Sequence, residues 1–302
     1  MIFLDGKSPS PKKTAVALGI FDGVHLGHRE ILAMAESYSS EDIAFSVFTF
    51  ETSSVEYKHG KPYSYIYTQK QKETILDSLG VEYIYAPKIS ELKNMTGEEF
   101  ASQILKGLMK AETVVCGENF HFGKGASCGI AELKAFGKKY GFGVSVYPTV
   151  TLRDSTVSSG TVKEFLKKGD IISANKLLGQ RYFLEGTVVT GNRLGRTISF
   201  PTANQLFEDR QVIPHMGAYA TRCRLGGTSY RAVTNTGVKP TVEQNIKPLA
   251  ETHILGFSGD LYGKSIKIEF MDFLREERKF SSLEELKAQI KKDVEKAKAI
   301  NA

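Results

Sequence analysis

Two hydrophobic rhythms divide this chain. In the first half, short apolar runs at 14–20, 43–50, 81–86, 113–116 and 144–150 read as buried strands. Between them lie stretches of helical spacing, at 29–37, 68–79 and 97–109, the last with Phe100, Ile104 and Leu108 on one face. Gly80 reads as a helix C-cap. Alternating strands and helices predict an α/β domain with a parallel, doubly wound, Rossmann-like sheet. A helix opens near 157 and runs to 168, and Gly169 and Gly179 punctuate the stretch that follows. From Tyr182 the period shortens. Strands predicted at 183–189, 218–225, 228–235, 252–257 and 265–273 are separated by turn residues, the pattern of a small antiparallel β-barrel. A closing helix is predicted at 281–298, with Leu283, Leu286, Ile290 and Val294 inward and lysines outward. The expected domains are 1–181, whose last part is a linking helical segment, and 182–302.

Composition narrows the partner class. The 302 residues carry a formal charge of +6, +2 of it before residue 182 and +4 after. No Lys/Arg block stands out, which argues against nucleic acid and leaves phosphate-bearing small molecules. Cys116, Cys128 and Cys223 form no C-x-x-C pair, so a disulfide framework is not expected. The apolar run at 15–21 is far short of the ~20 residues that span a bilayer. A cytoplasmic protein without membrane contact is expected.

The densest candidate chemistry lies at 190–204, Thr-Gly-Asn-Arg-Leu-Gly-Arg-Thr-Ile-Ser-Phe-Pro-Thr-Ala-Asn. Gly191 and Gly195 permit tight turns, and Arg193 and Arg196 supply positive charge. Thr202 and Asn204 project from one face if the segment is extended, offering two oxygens suited to Mg²⁺ and a shared phosphate. In the first half, a strand runs into Gly19, then Phe21-Asp22-Gly23-Val24-His25-Leu26-Gly27-His28, then a helix. That layout aims backbone N–H groups at phosphate, and His25 and His28 can donate to charge on a transferring phosphoryl group. By spacing alone the two histidines could equally be surface residues or a metal pair on one helix face.

These strings resemble two modules of one family. Residues 191–204 are similar to the riboflavin kinase signature, a G-x-x-x-G-R loop leading into F-P-T-A-N. The resemblance implies that Gly191, Gly195 and Arg196 cover ATP while Thr202 and Asn204 hold Mg²⁺ and phosphate. The segment from Asn235 to Thr241 resembles the family's N-x-G-x-[RK]-P-T loop, and the stretch beginning Glu251-Thr252-His253 resembles the segment carrying the catalytic base, here Glu251. Arg275 is a candidate for positioning flavin or a lid, with an exposed salt bridge the alternative. The string Gly19-Ile-Phe21-Asp22-Gly23 with His25 and His28 resembles the FMN adenylyltransferase half of bacterial bifunctional FAD synthetases. So does Gly117-Glu-Asn119-Phe-His-Phe122-Gly, whose Asn119 and Phe122 would reach the flavin and nucleotide. Ser158, Ser159 and Lys163 stand in the family's S-S-[TS]-x-I-R motif.

The chain departs from the family at several positions. Ser199 replaces a glycine, and Thr236 stands where isoleucine is common. Gly160 and Lys163 alter the S-S motif, and the expected F-x-P-H-P reads Phe50-Glu-Thr-Ser-Ser54. The resemblance implies a transferase for flavin cofactor synthesis, using ATP and Mg²⁺ on riboflavin and FMN. An enzyme keeping one activity, chiefly the kinase, and a flavin-binding sensor without turnover remain alternatives.

Overall fold

In a computed structural model described over residues 1–58, 61–152, 155–190, 200–240 and 246–300, the chain forms two compact units, Met1–Ser159 and Gly160–Ala302. The first is built on a six-stranded parallel sheet. Its strands are β1 (Ile2–Phe3), β2 (Lys13–Leu18), β3 (Ile43–Phe48), β4 (Tyr83–Tyr85), β5 (Ala111–Gly117) and β6 (Gly143–Tyr147). They lie in the order β1-β4-β3-β2-β5-β6. Ala15 to Leu18 and Ala44 to Phe48 are buried, as parallel strands covered on both faces must be. The chain winds from β2 through β3 to β4 and then returns to β5 on the other side of β2. This reversal puts a crevice at the carboxyl ends of β2 and β5, where open α/β sheets bind ligands.

Helix α1 (Leu26–Glu36) follows β2, and α2 (Gln69–Ser78) starts at a Thr68–Gln71 capping box. Helix α3 begins at Gly97–Glu99 and continues through Phe100–Leu108 with a wider turn than the α-helix expected there. The Met109 amide reaches back five residues to the Ile104 carbonyl, at 2.8 Å. Buried Phe100, Ile104 and Leu108 recur every fourth residue, and the wider turn keeps that row pointing into the core. Helix α4 (Ile130–Tyr140) covers β6 and ends on Gly141 in the left-handed region, φ +75°.

Helix α5 (Ser159–Lys168) starts on the last residue of the first unit, and α6 (Ile171–Leu178) follows it in the second. Helix α6 is fastened to the barrel by Asn175, which donates to the Phe270 carbonyl at 3.0 Å and accepts from the Tyr182 amide at 2.6 Å. The barrel strands are β7 (Phe183–Thr187), β8 (Ala203–Leu206), β9 (Gly217–Leu225), β10 (Thr228–Pro240), β11 (Ile246–Ile254) and β12 (Ser265–Glu276). Their order is β7-β12-β9-β10-β11-β8, every pairing antiparallel. The Val189 amide, donating to the Asn204 carbonyl at 2.8 Å, brings the two edges together. Inside, Tyr182, Tyr219 and Phe270 fill the core, and hydroxyls of Thr221, Thr234 and Thr252 form a chain with 2.8 and 2.9 Å links.

The closing helix, α7 (Leu283–Ala299), is capped by the Ser282 hydroxyl, which accepts from the Glu285 amide at 3.1 Å. Ile290, Val294 and Ala297 pack inward on Ala220 and Val233. Leu283 was expected on this face but is 48% exposed, because the buried stripe starts after the first turn.

Gly217, at the start of β9, has φ +154°, and a methyl there would collide with the Arg275 backbone carbonyl. The carbonyl belongs to a paired strand and cannot swing aside. Gly217→Ala is expected to lower barrel stability by about 3 kcal/mol, read from a urea unfolding curve.

Candidate active sites

The first candidate site grows from the end of β2. Phe21 takes a left-handed conformation (φ 53°), as does the β-branched Val24 (φ 43°), where side chains other than glycine are strained. Such outliers persist when neighbours hold them, and here they do. The Asp22 carboxylate accepts from the Ile66 amide at 2.8 Å, and Phe21, Asp22, Gly23 and Val24 are all buried. Gly19 faces the Phe21 ring, so that a methyl there would stand 3.1 Å from it. His25 caps α1, its Nδ1 accepting from the His28 amide at 3.3 Å. The two imidazoles stack at 3.6 Å between centroids and 18° between planes, with the Phe21 ring edge-on to His28 at 5.2 Å. Both rings therefore sit at a helix N-terminus at the carboxyl end of β2, where N–H groups and imidazole donors converge on any bound anion.

Further residues border this end of the sheet. Asn119, exposed in the loop after β5, donates to the Thr149 hydroxyl at 3.2 Å. Phe122 points into the core instead, packed with Phe100, Phe120 and Phe136 and 7% exposed. The Val157 carbonyl would lie 3.6 Å from a methyl on Gly27, so the strap leading to Ser158 and Ser159 passes the start of α1. Ser159 is buried at the first position of α5. Lys163 lies one turn further along that helix, in the second unit. Two basic residues passed over in the sequence also stand here. Burial lowers the pKa of half-buried Arg29, opposed by the neighbouring Tyr67. Lys72 on α2 is 2% exposed, and burial pushes its pKa down to about 8. A lysine in a polar helical stretch reads as solvated, and nothing in the sequence marks this one as buried.

The second candidate site is a row across the barrel. Asn204 on β8 pairs with Glu251 on β11, Glu251 with Asn235 on β10, Asn235 with Ala218 on β9, and Ala218 with Arg275 on β12. Residues directly opposite in antiparallel strands share a face, roughly 4.5–5.5 Å apart. Four of the predicted site residues therefore lie in one line. Val233 and Ala220, two positions from Asn235 and Ala218, pack against α7, so the row is on the helix-covered side of the sheet.

Asn204 is 5% exposed, and its Oδ1 has no hydrogen-bond partner among the described residues. A buried amide oxygen left bare is costly, and an oxygen-seeking cation such as Mg²⁺ fits it. Thr202 lines a cavity of about 350 Å³ with Pro201, Ala203, Thr252 and Asp260. The Pro201 carbonyl is held by His253 Nδ1 at 2.9 Å, which fixes the turn into β8. Gly191, Gly195, Arg196 and Ser199 lie outside the described residues.

Arg275 ends the row in an ion pair. Its Nε donates to both Asp293 oxygens of α7, at 2.9 and 3.2 Å, and its guanidinium lies 5.6 Å from the Phe280 ring centre. Asp293 is 1% exposed and also accepts from Gln289 at 2.8 Å. Asp293→Ala would leave the guanidinium without its buried partner. It is expected to cost about 3 kcal/mol and loosen α7, measured by urea unfolding and by proteolysis near residue 280.

The folds and sites define a two-module protein, with a nucleotide-type sheet followed by a six-stranded barrel. Comparison with known proteins gives the same division. The FAD synthetase family model matches residues 7–161 and the riboflavin kinase model residues 178–301. The chain is 34% identical to the bifunctional riboflavin kinase/FMN adenylyltransferase of Bacillus subtilis, over 94% of this chain and 92% of that protein. It is 35% identical to the protein so named from Haemophilus influenzae, over 94% and 93%. A crystal structure described as a macrolide-efflux protein from Streptococcus pneumoniae superposes with a TM-score of 0.85 at 29% identity, covering 98% of both chains. Among the described residues no helix is long and apolar enough to cross a membrane. The chain belongs to the bifunctional riboflavin kinase/FMN adenylyltransferase family.

Proposed function

We propose that the chain converts riboflavin to FMN in its barrel and FMN to FAD on its parallel sheet, with ATP as the donor in both steps. The observation that carries this reading is the Asn204–Glu251–Asn235 row, which sets a carboxylate between two amides beside an unpartnered oxygen. In the kinase step Glu251 accepts the proton of the riboflavin 5′-hydroxyl as that oxygen attacks the γ-phosphoryl group of ATP, and ADP leaves. Thr202 and Asn204 would hold Mg²⁺, which when bound neutralises phosphate charge. Asn235 orients the flavin beside the base. Arg275, already paired with Asp293, anchors the wall that the flavin meets.

In the adenylyl step an oxygen of the FMN phosphate attacks the α-phosphoryl group of ATP and pyrophosphate leaves. His25, His28 and the N–H groups opening α1 donate to the phosphate oxygens, whose charge grows in the transition state. Gly19, Phe21, Asp22 and Gly23 hold the loop that aims them. Asn119 borders the flavin, and Phe122 acts from the core by fixing that loop's base. Ser158 and Ser159 take the outer phosphates. Residues 191, 195 and 196 cover ATP in the barrel. A cytoplasmic location fits substrates of this kind.

Chromatographic assay of the purified, reduced chain with MgATP tests the reading. FMN from riboflavin and FAD from FMN are expected; the lack of either product removes the corresponding half. Binding of flavin with neither product would favour a sensor.

A further inference from the structure

The family's F-x-P-H-P string is missing at 50–54, and the structure shows what holds that segment in this chain. Helix α2 presents Gln69 and Lys72, one turn apart, to the carboxyl ends of β2 and β3. The Gln69 Oε1 accepts from both the amide and the hydroxyl of Thr52, each at 2.9 Å. The Lys72 ammonium donates to the Phe50 carbonyl at 2.8 Å and the Thr49 hydroxyl at 3.3 Å, with the Ile20 carbonyl at 3.5 Å. The Thr49 hydroxyl in turn donates to that Ile20 carbonyl at 2.9 Å. Ile20 immediately precedes the strained turn from Phe21 to His25. Lys72 thus ties the root of the histidine loop to the end of the neighbouring strand, directly and through Thr49.

Core filling does not account for such a residue. A methionine of similar length would occupy the space without desolvating a charge. The charged and titratable groups facing the ammonium are Asp22, Glu51 and Glu73, with Tyr63 beside Asp22. Their charges favour the protonated form, while burial opposes it more strongly.

We propose that Lys72 is a positioning residue for adenylyl transfer: its ammonium, bridging Ile20, Thr49 and Phe50, holds the His25–His28 loop in register. The inference rests on the adenylyl transfer proposed above.

The test is Lys72→Met in the full-length chain, assayed for both products. FAD formation from FMN is expected to fall about tenfold to a hundredfold in kcat, since a small misplacement of reacting groups costs that much. KM for FMN and for ATP should stay within twofold, FMN formation from riboflavin should not change, and the variant should remain folded at the assay temperature. The wild-type kcat/KM for FAD formation should decline as pH rises through about 8, where the ammonium loses its proton, and the decline should be absent in the variant. Unchanged FAD formation in Lys72→Met overturns the proposal. So does an alkaline decline that survives in the variant, or a loss of activity matched by a loss of folded protein at the assay temperature. A wild-type chain that makes no FAD would overturn the adenylyl reading itself, and this inference with it.

Discussion

Glu251→Gln is expected to reduce FMN formation from riboflavin by roughly 10²–10⁴-fold while leaving FAD formation from FMN unchanged. Glutamine keeps the shape and hydrogen-bonding capacity of the side chain and removes its basicity, so the cross-strand row with Asn204 and Asn235 should persist. The loss should therefore appear in kcat, with riboflavin KM nearly constant, because a base acts in the transition state more than in the ground state. Steady-state chromatography of both products from one preparation is the measurement, and the second activity serves as an internal standard. A variant that kept its FMN rate would place the base elsewhere.

His28→Ala is expected to do the converse, lowering FAD formation by roughly 10²–10³-fold with the kinase rate intact. Its ring stacks on His25 and meets the edge of Phe21, so it is held in place before any substrate arrives. Such preorganised donors spend little reorganisation during the reaction. His25 needs a different control, because it also caps α1. His25→Ala loses the imidazole and a cap worth about 1 kcal/mol, whereas His25→Asn keeps a capping oxygen. Equal losses of FAD formation in the two variants, with only His25→Ala destabilised in urea, would assign the imidazole to the phosphates and separate it from the cap.

Much of this arrangement was legible in the sequence, for local reasons. A buried strand, a glycine turn and a helix follow one another within residues 13–36, so the histidine site is contiguous and its pattern readable. The barrel was legible as alternation, and its closing helix as an apolar stripe ended by lysines. Other features were not. The row of Asn204, Asn235, Glu251 and Arg275 depends on register between strands far apart in the chain, which period-two patterning leaves open. The two-residue strand at Ile2–Phe3 is too short to show a period. Helix α4 was missed although Gly141 marks its end, since only Leu133 and Gly137 are buried on it and the stripe is faint. The wide turn of α3 carries the same apolar spacing as an α-helix over so short a span. Lys72 is the sharpest case, since a lysine among polar helix neighbours gives no sign of burial.

In the proposed function one chain carries two separate sites that act in sequence. The most direct measurement mixes Glu251→Gln with His28→Ala and follows FAD from riboflavin and MgATP. The first variant keeps the sheet site and the second keeps the barrel site. FMN made by one should diffuse to the other, so the mixture should form FAD although neither variant alone does at a comparable rate. A mixture as inactive as its components, or either variant alone carrying riboflavin through to FAD at the wild-type rate, would contradict the assignment of one step to each unit.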